Sequence, residues 1–221
     1  MQRFFDILFS SSALIFFSFP LVITAVILRF TGEGEVFFLQ ERIGKNGKRF
    51  NLLKFATMLK NSPNIGSGTI TIKNDPRILP AGRFLRSSKI NELPQLINIF
   101  LGDMSIIGPR PMTEQTFNAY TYEVKEAIKK VKPGLSGIGS IVFRNEEDLL
   151  QGDFATENYY QDFIAPYKGE LECWYVKNNK LGLYFKLIFL TVWVVFIPRS
   201  KIVRKFFKEL PSPPENLNLK F

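Results

Sequence analysis

The 221-residue chain contains no histidine and a single cysteine, Cys173. The first absence removes imidazole as a general base or metal ligand. The second excludes an intramolecular disulfide and any cysteine-rich zinc site, and it suits a reducing compartment. No internal repeat is evident. Charge is also missing from one long stretch: Ile7 to Leu28 is 22 residues without an ionisable side chain, flanked by Arg3 and Asp6 before it and Arg29 after it. That is about the length a helix needs to cross a bilayer. No small-residue A-x-A site follows the run, which disfavours a cleaved secretory signal. Pro20 removes one helical hydrogen bond and crowds the preceding turn, so a kink is expected between Phe17 and Pro20. Ser10, Ser11, Ser12 and Ser18 can re-satisfy freed carbonyls. Such a helix spans, or bends and returns to the side it entered; its residues alone leave both open.

What is plentiful is positive charge and phenylalanine: 29 Lys and Arg against 20 Asp and Glu, net +9, with 23 Phe. Basic plus aromatic suits either an anionic membrane surface or nucleic acid. The apolar N-terminus favours the membrane, and no groove-reading motif is present, so no nucleic-acid partner is expected. Arg29, Arg42, Lys45, Lys48, Arg49 and Lys54 follow the apolar segment closely, and the positive-inside tendency puts the remainder on the cytoplasmic side. The length suits one domain with a core.

Short strands are expected at Val36–Gln40 and Phe50–Phe55 around a turn at 44–47. A loop at Asn61–Ser67 leads to an alternating strand at 69–73 and an Asx-Pro turn, to which Asp75 belongs. Residues Glu92 to Leu101 read as a short amphipathic helix with Leu93, Leu96, Ile97 and Phe100 at helical spacing, Asn91 as N-cap and Pro94 in the first turn. Arg83, Arg86, Lys89 and Glu92 surround its start, and a stiff GPRP loop, Gly108 to Pro111, holds Arg110. A helix N-terminus beside arginines is a natural phosphate site; an ordinary capped helix with solvated charges accounts for the same residues. Gly102-Asp103 reads as the turn that follows. Thr113–Val131 reads as one charged amphipathic helix, with Phe117, Tyr120, Val124 and Ile128 on one face, stopped by Lys132-Pro133-Gly134 and a glycine-rich turn. In the second apolar region, Leu171–Ile197, the charge-free core (Leu187–Ile197) is too short to span. Trp174, Tyr175, Tyr184, Lys186 and Trp193 suit a helix lying in the membrane interface, with a buried core helix as the alternative. Arg199–Lys208 forms a basic, aromatic patch for anionic lipid, and the Pro-rich end is expected to be disordered.

The stretch ELPQLINIFLGDMSIIGPRP, Glu92 to Pro111, resembles the signature of the bacterial sugar transferases, the monotopic phosphoglycosyl transferases. QERIGKNGKRFNLLKF (Gln40 to Phe55), NDPRILPAGRFLR (Asn74 to Arg86) and KPGLSG (Lys132 to Gly137) extend the resemblance in family order. It implies an α+β, membrane-associated (monotopic) fold with a re-entrant N-terminal helix broken at Pro20, small strands and amphipathic interfacial helices. The implied layout is a re-entrant membrane helix at 1–30, a transferase domain with interfacial helices at 31–208, and a flexible tail at 209–221. The implied place is the bacterial inner membrane, with the catalytic domain on its cytoplasmic face.

The activity implied is transfer of a phosphosugar from a UDP-sugar to polyprenyl (undecaprenyl) phosphate, releasing UMP, as the first membrane step of a surface glycan. Membrane lipids and downstream glycosyltransferases are the implied partners, and a homodimer is left open. The family carries an adjacent Asp-Glu pair, whose aspartate attacks the sugar-bearing phosphorus while the glutamate and Mg2+ support the site. Here the pair is Asn91-Glu92. Carried over by position, Asn91 and Glu92 are the catalytic pair, Glu92 also serves the metal, and Arg86, Arg110 and Arg144 contact phosphate or substrate. Ala56 stands where relatives usually have a basic residue, and Arg144-Asn145 are retained where the preceding family tryptophan and glutamine are not. A carboxamide is a poor nucleophile. Glu92 or another carboxylate takes that role, or the acceptor phosphate attacks directly, or the chain is a catalytically silent homologue acting as a membrane scaffold.

Overall fold

The structure is a computed structural model, and it describes residues 1–65, 75–144, 159–197, 202–214 and 217. The strand expected at 69–73, residue Asn145 and, in the final segment, residues 215, 216 and 218–221 lie outside the described residues. The N-terminal apolar run forms two helices, α1 (Gln2–Phe16) and α2 (Ser18–Phe30), meeting at a 62° bend at Phe17. The bend follows from Pro20, which has no N–H to continue the ladder. Ser18 Oγ donates to the Ile15 carbonyl at 2.8 Å and Ser11 Oγ to the Ile7 carbonyl at 2.7 Å, so hydroxyls cover backbone acceptors of α1, one of them in the turn next to the kink. Among the described residues no single helix is long and apolar enough to cross a membrane; the bent pair has that length and composition.

Strands β1 (Phe37–Ile43) and β2 (Arg49–Phe55) form an antiparallel hairpin in which Phe38 faces Lys54, Gln40 faces Leu52 and Arg42 faces Phe50. Because side chains alternate, Gln40, Arg42, Leu52 and Lys54 share one face of this ribbon. After α3 (Pro80–Ser87) the chain turns through Lys89, at φ +61°, into a 3-10 turn at Ile90–Glu92. The next helix, α4 (Gln95–Leu101), begins behind Pro94. Asn91 is therefore not its N-cap, and the helix starts three residues later than the sequence pattern suggests. The face expected to be buried is also split: Leu96 and Ile99 are in the core, whereas Ile97, Phe100 and Leu101 face outward. Gly102, at φ +102°, ends the helix, and the Asp103 N–H returns to the Asn98 carbonyl, the turn expected there.

Strand β3 (Ser105–Ile107) pairs in parallel with β4 (Gly134–Ser136), placing Ser105 opposite Gly134 and Ile107 opposite Ser136. The expected single helix between them is two, α5 (Glu114–Asn118) and α6 (Tyr122–Ile128). Thr113 and Thr121 each accept a hydrogen bond from the amide three residues on, so Thr121 caps a second start where periodicity alone showed continuity. The glycine-rich turn is likewise more regular than expected, supplying β4 and then α7 (Ile138–Val142). Its glycines permit backbone contact: a Cβ on Gly134 would fall 2.1 Å from the Gly108 nitrogen, and one on Gly108 would fall 2.3 Å from the Lys132 carbonyl. The GPRP loop is thereby set directly against this segment.

A π-helical turn at Tyr160–Ile164 leads into α8 (Ala165–Asn178), followed by α9 (Leu181–Phe196) and α10 (Ile202–Phe206). Helix α9 buries one face, as the core-helix alternative expects, with Tyr184 (like Tyr175 on α8) buried and not at an outer surface, and leaves its other apolar face exposed. Leu183, Tyr184, Leu187, Leu190 and Val194 enter the main core with Ile107, Ile138 and Leu171, while Phe185, Phe189, Val192, Val195 and Phe196 face outward. In the terminal segment, Leu217 is buried and Tyr167 donates to the Pro211 carbonyl at 2.9 Å. Those two points of the segment expected to be disordered rest on the body.

Candidate active site

The hairpin, the 3-10 turn and the GPRP loop meet at one cavity. The Ile43 amide donates to the Met112 carbonyl at 3.0 Å, and Arg42 Nη1 donates to the Pro111 carbonyl at 2.8 Å. These bonds fix the end of β1 to the loop carrying Arg110. From the other side Asn98, buried on α4, receives the Leu53 amide at 3.0 Å and donates to the Asn51 carbonyl at 2.9 Å. The resulting hollow is lined by Arg42, Leu52, Lys54, Glu92, Gln95, Arg110, Pro111 and Leu135.

Charge in this hollow is mostly positive. Lys54 Nζ lies 3.9 Å from Glu92 Oε1, both side chains about one-fifth exposed. Burial pulls Lys54 down to about 7, with Glu92 opposing and Arg110, Arg42 and Arg86 adding to the fall. Arg42 is drawn down to about 9 by burial and by Arg110, and its Nε is buried without a hydrogen-bond partner among the described residues. Burial pushes the Glu92 carboxyl up, but Lys54, Arg110, Lys89 and Arg86 together outweigh it and hold the group below its ordinary range. An ionised glutamate thus stands among several cations whose mutual repulsion it does not cancel. An incoming polyanion would relieve that repulsion and accept from the orphaned Arg42 N–H.

The sequence-derived candidates fall in different places. Glu92 and Arg110 line the hollow; Arg86, on α3, acts on both Lys54 and Glu92 through its charge and brings Nη1 to 3.8 Å from Met58 Sδ. Asn91 is 5% exposed, is not among the lining residues, and its Oδ1 is buried with no donor among the described residues. Arg144, just past α7, is lowered by burial alone and is not among the lining residues. Pro20 sits at the N-terminal bend. Asp75 does belong to its turn: Oδ1 accepts the Arg77 amide at 3.0 Å and Arg77 Nε at 2.8 Å. Arg42, Lys54 and Gln95 were missing from the candidate set. Period-two alternation in the hairpin puts the first two on one face and was the available signal.

Mg2+ is tested by the donor set. Among the described residues no group of three or more carboxylate, cysteine or histidine side chains converges, and among them Glu92 is the only carboxylate lining the hollow. One ionised carboxylate fits a magnesium ion that takes its remaining ligands from phosphate oxygens and water. It does not fit an ion held in advance by the protein, because the neighbouring cations oppose one.

A model of the bacterial sugar transferase family matches residues 1–198. The chain is 34% identical over 204 residues to the UDP-glucose:undecaprenyl-phosphate glucose-1-phosphate transferase of Klebsiella pneumoniae, covering 90% of this chain and 41% of that one. It is 35% identical over 159 residues to the exopolysaccharide production protein ExoY of Rhizobium meliloti, covering 66% and 70% respectively. Similarity to the undecaprenyl-phosphate galactose phosphotransferase of Salmonella typhimurium is 32% over 209 residues, or 88% of this chain and 40% of that one. The chain spans about two fifths of the length of the Klebsiella and Salmonella relatives.

Proposed function

The chain belongs to the bacterial sugar transferase family, and on that premise we propose that it transfers a phosphosugar from a UDP-sugar to undecaprenyl phosphate. An oxygen bonds to the sugar-bearing phosphorus, the P–O bond to the uridine side breaks, and UMP leaves with the bridging oxygen. Where that oxygen belongs to the acceptor phosphate, transfer is then complete; where it belongs to an enzyme carboxylate, an acceptor phosphate oxygen next bonds to the phosphorus as the P–O bond to the carboxylate breaks and the free carboxylate is regenerated. The observation that carries this reading is the convergence of Arg42, Lys54 and Arg110 on a hollow whose one lining carboxylate is Glu92. Phosphoryl transfer needs positioned charge above all. Arg42, Arg110 and Arg86 neutralise the diphosphate, and Lys54, ion-paired to Glu92, adds a donor at the same spot. Glu92 would hold Mg2+ arriving with the diphosphate, and that ion would supply further charge neutralisation.

The apolar surface supports a seat in the membrane. Phe16, Phe19 and Phe30 on the bent pair and Phe189 and Phe196 on α9 are exposed. The 62° bend fits a broken span or a helix pair that enters and leaves by one face, and the second is the one proposed here. The catalytic hollow then lies on the cytoplasmic side of the inner membrane, where UDP-sugars are available, and the product passes to downstream glycosyltransferases.

The test is the purified protein in lipid nanodiscs with undecaprenyl phosphate, Mg2+ and a panel of UDP-sugars, with UMP as the readout. Acceptor-dependent UMP release that falls at least tenfold in Glu92→Gln and Arg110→Ala is expected, about 1.4 kcal/mol in barrier. Release that is absent with every sugar, or indifferent to both substitutions, overturns the reading.

A further inference from the structure

Behind Arg110 lies a carboxylate for which the proposed reaction has no use. Glu172, on α8, is fully buried and pressed against α7, where a Cβ on Gly139 would come within 2.4 Å of Glu172 Oε1. Neither of its oxygens has a hydrogen-bond partner among the described residues. Among the described residues the charged groups facing it are Lys168 and Arg110, with the titratable Cys173 and Tyr175 of its own helix also feeling its charge. Lys168 stands one turn earlier on the same helix, with its ammonium 5.2 Å from the Phe143 ring centroid and 5.7 Å from that of Tyr160. From the GPRP loop comes Arg110, whose backbone N–H, short of a formed hydrogen bond, and whose guanidinium both favour the ionised carboxyl. From α7 the contact is the uncharged backbone of Gly139. Arg110 therefore belongs to two clusters, the hollow with Arg42, Lys54 and Glu92 on one side and the buried Glu172 on the other.

We propose that Glu172 takes up a proton when a diphosphate occupies the hollow beside Arg110, so that anion binding and protonation of this carboxyl are coupled. The inference rests on the reading of that hollow as a diphosphate site. A buried carboxylate with no formed hydrogen bond is kept ionised chiefly by the positive charge and N–H dipoles around it. A diphosphate draws on the same guanidinium and adds like charge nearby, and both changes favour the neutral carboxyl. Burial already pushes Glu172 up to about 7, against the pull of Lys168 and Arg110, so a modest added field carries it across neutrality. Linkage then works in both directions: the diphosphate drives protonation, and protonation strengthens diphosphate binding as pH falls.

Isothermal titration of UDP with Mg2+ at pH 7.5, in two buffers of different ionisation enthalpy, counts protons taken up per UDP bound. Ionisation of UDP and of Lys54 enters equally for the parent and for Glu172→Gln, so the difference isolates residue 172. The parent should take up about half a proton more per UDP than Glu172→Gln. Glu172→Leu, which also removes the titration, should give the same difference. Equal proton counts in parent and both variants overturn the coupling, because a residue with a purely structural role would change stability but not the count. UDP that fails to bind, or binds unchanged after Arg110→Ala, overturns the reading of the hollow and the coupling with it.

Discussion

Tyr184 donates its hydroxyl to Asp6 Oδ1 at 3.0 Å, joining α9 to the first turns of α1 across 178 residues of sequence. The same oxygen accepts Ser105 Oγ at 2.9 Å and the Ile106 amide at 3.0 Å, so one buried carboxylate holds α1, β3 and α9 together. Arg3, one turn earlier, donates to the Ile99 and Phe100 carbonyls at the end of α4. The apolar helix pair is thus anchored to the body through its polar start.

Removing the Asp6 carboxylate strands three donors, whereas removing the Tyr184 hydroxyl leaves Asp6 with two. Asp6→Ala is therefore expected to destabilise by about 3 kcal/mol or more and Tyr184→Phe by about 1 kcal/mol. Thermal unfolding in nanodiscs should place the variants in that order. Equal loss in both would show that Asp6 acts through Tyr184 alone, and no loss in Asp6→Ala that the anchor contributes nothing.

The bend at Phe17 makes a topological prediction. In a Cys173→Ser background, Phe4→Cys and Lys48→Cys mark the two sides of the apolar pair; both positions are exposed. If the pair re-enters, an impermeant thiol reagent applied to intact cells labels neither. Pro20→Leu restores the missing N–H, straightens the pair and moves position 4 to the outer face, where it becomes labelled. Labelling of Phe4→Cys with Pro20 intact is the result that defeats re-entry.

Much of this arrangement was legible in the chain because its causes are local. Pro20 bends its own helix, Gly102 ends α4, and the turn at 44–47 joins strands whose alternation is plain. The misreadings have local causes too. Lys89 takes a left-handed conformation and Pro94 delays the helix, so Asn91 falls inside a 3-10 turn instead of capping. Thr121, which periodicity treats as a mid-helix position, breaks one helix into two. Glu172 is different in kind. It reads as one more charge on a mixed helix, and only the approach of Gly139 and the GPRP loop, both distant in sequence, buries it.

That burial fixes a pH dependence of stability. The folded value of Glu172, about 7, lies above its ordinary value of 4.5, so the folded chain binds this proton more tightly than the unfolded chain does. Its contribution is present below about pH 4.5 and is lost as pH rises through 7, by at most about 3 kcal/mol. Glu172→Gln removes the titration. Relative to the parent, it should gain stability between pH 5 and pH 8, read from denaturation midpoints at both. A parent-to-variant difference that is constant with pH would place the ionisation elsewhere.

Residue 91 poses the sharpest chemical question. Relatives are expected to attack phosphorus with an aspartate at this position, and here an amide is buried with its Oδ1 facing no donor among the described residues. The charges next to it are in place: Glu92 is held below its ordinary range by Lys54, Arg110, Lys89 and Arg86. Asn91→Asp is nearly isosteric, so it needs no repacking, but it places a second carboxylate beside Glu92 in a desolvated position. A stability loss of about 1–3 kcal/mol is expected. That same desolvated charge is a better nucleophile than any amide oxygen. We therefore expect Asn91→Asp to turn over a UDP-sugar at least tenfold faster than the parent, about 1.4 kcal/mol in barrier. Incubated without lipid acceptor, the variant should also show a phosphosugar adduct by intact mass, mapping to residue 91, where the parent shows none. A parent that is already fast, with Asn91→Asp neutral or slower, would mean that the attacking oxygen is not at residue 91. An adduct on Glu92 of the parent would then identify that carboxylate as the nucleophile, and turnover without any adduct would identify the acceptor phosphate.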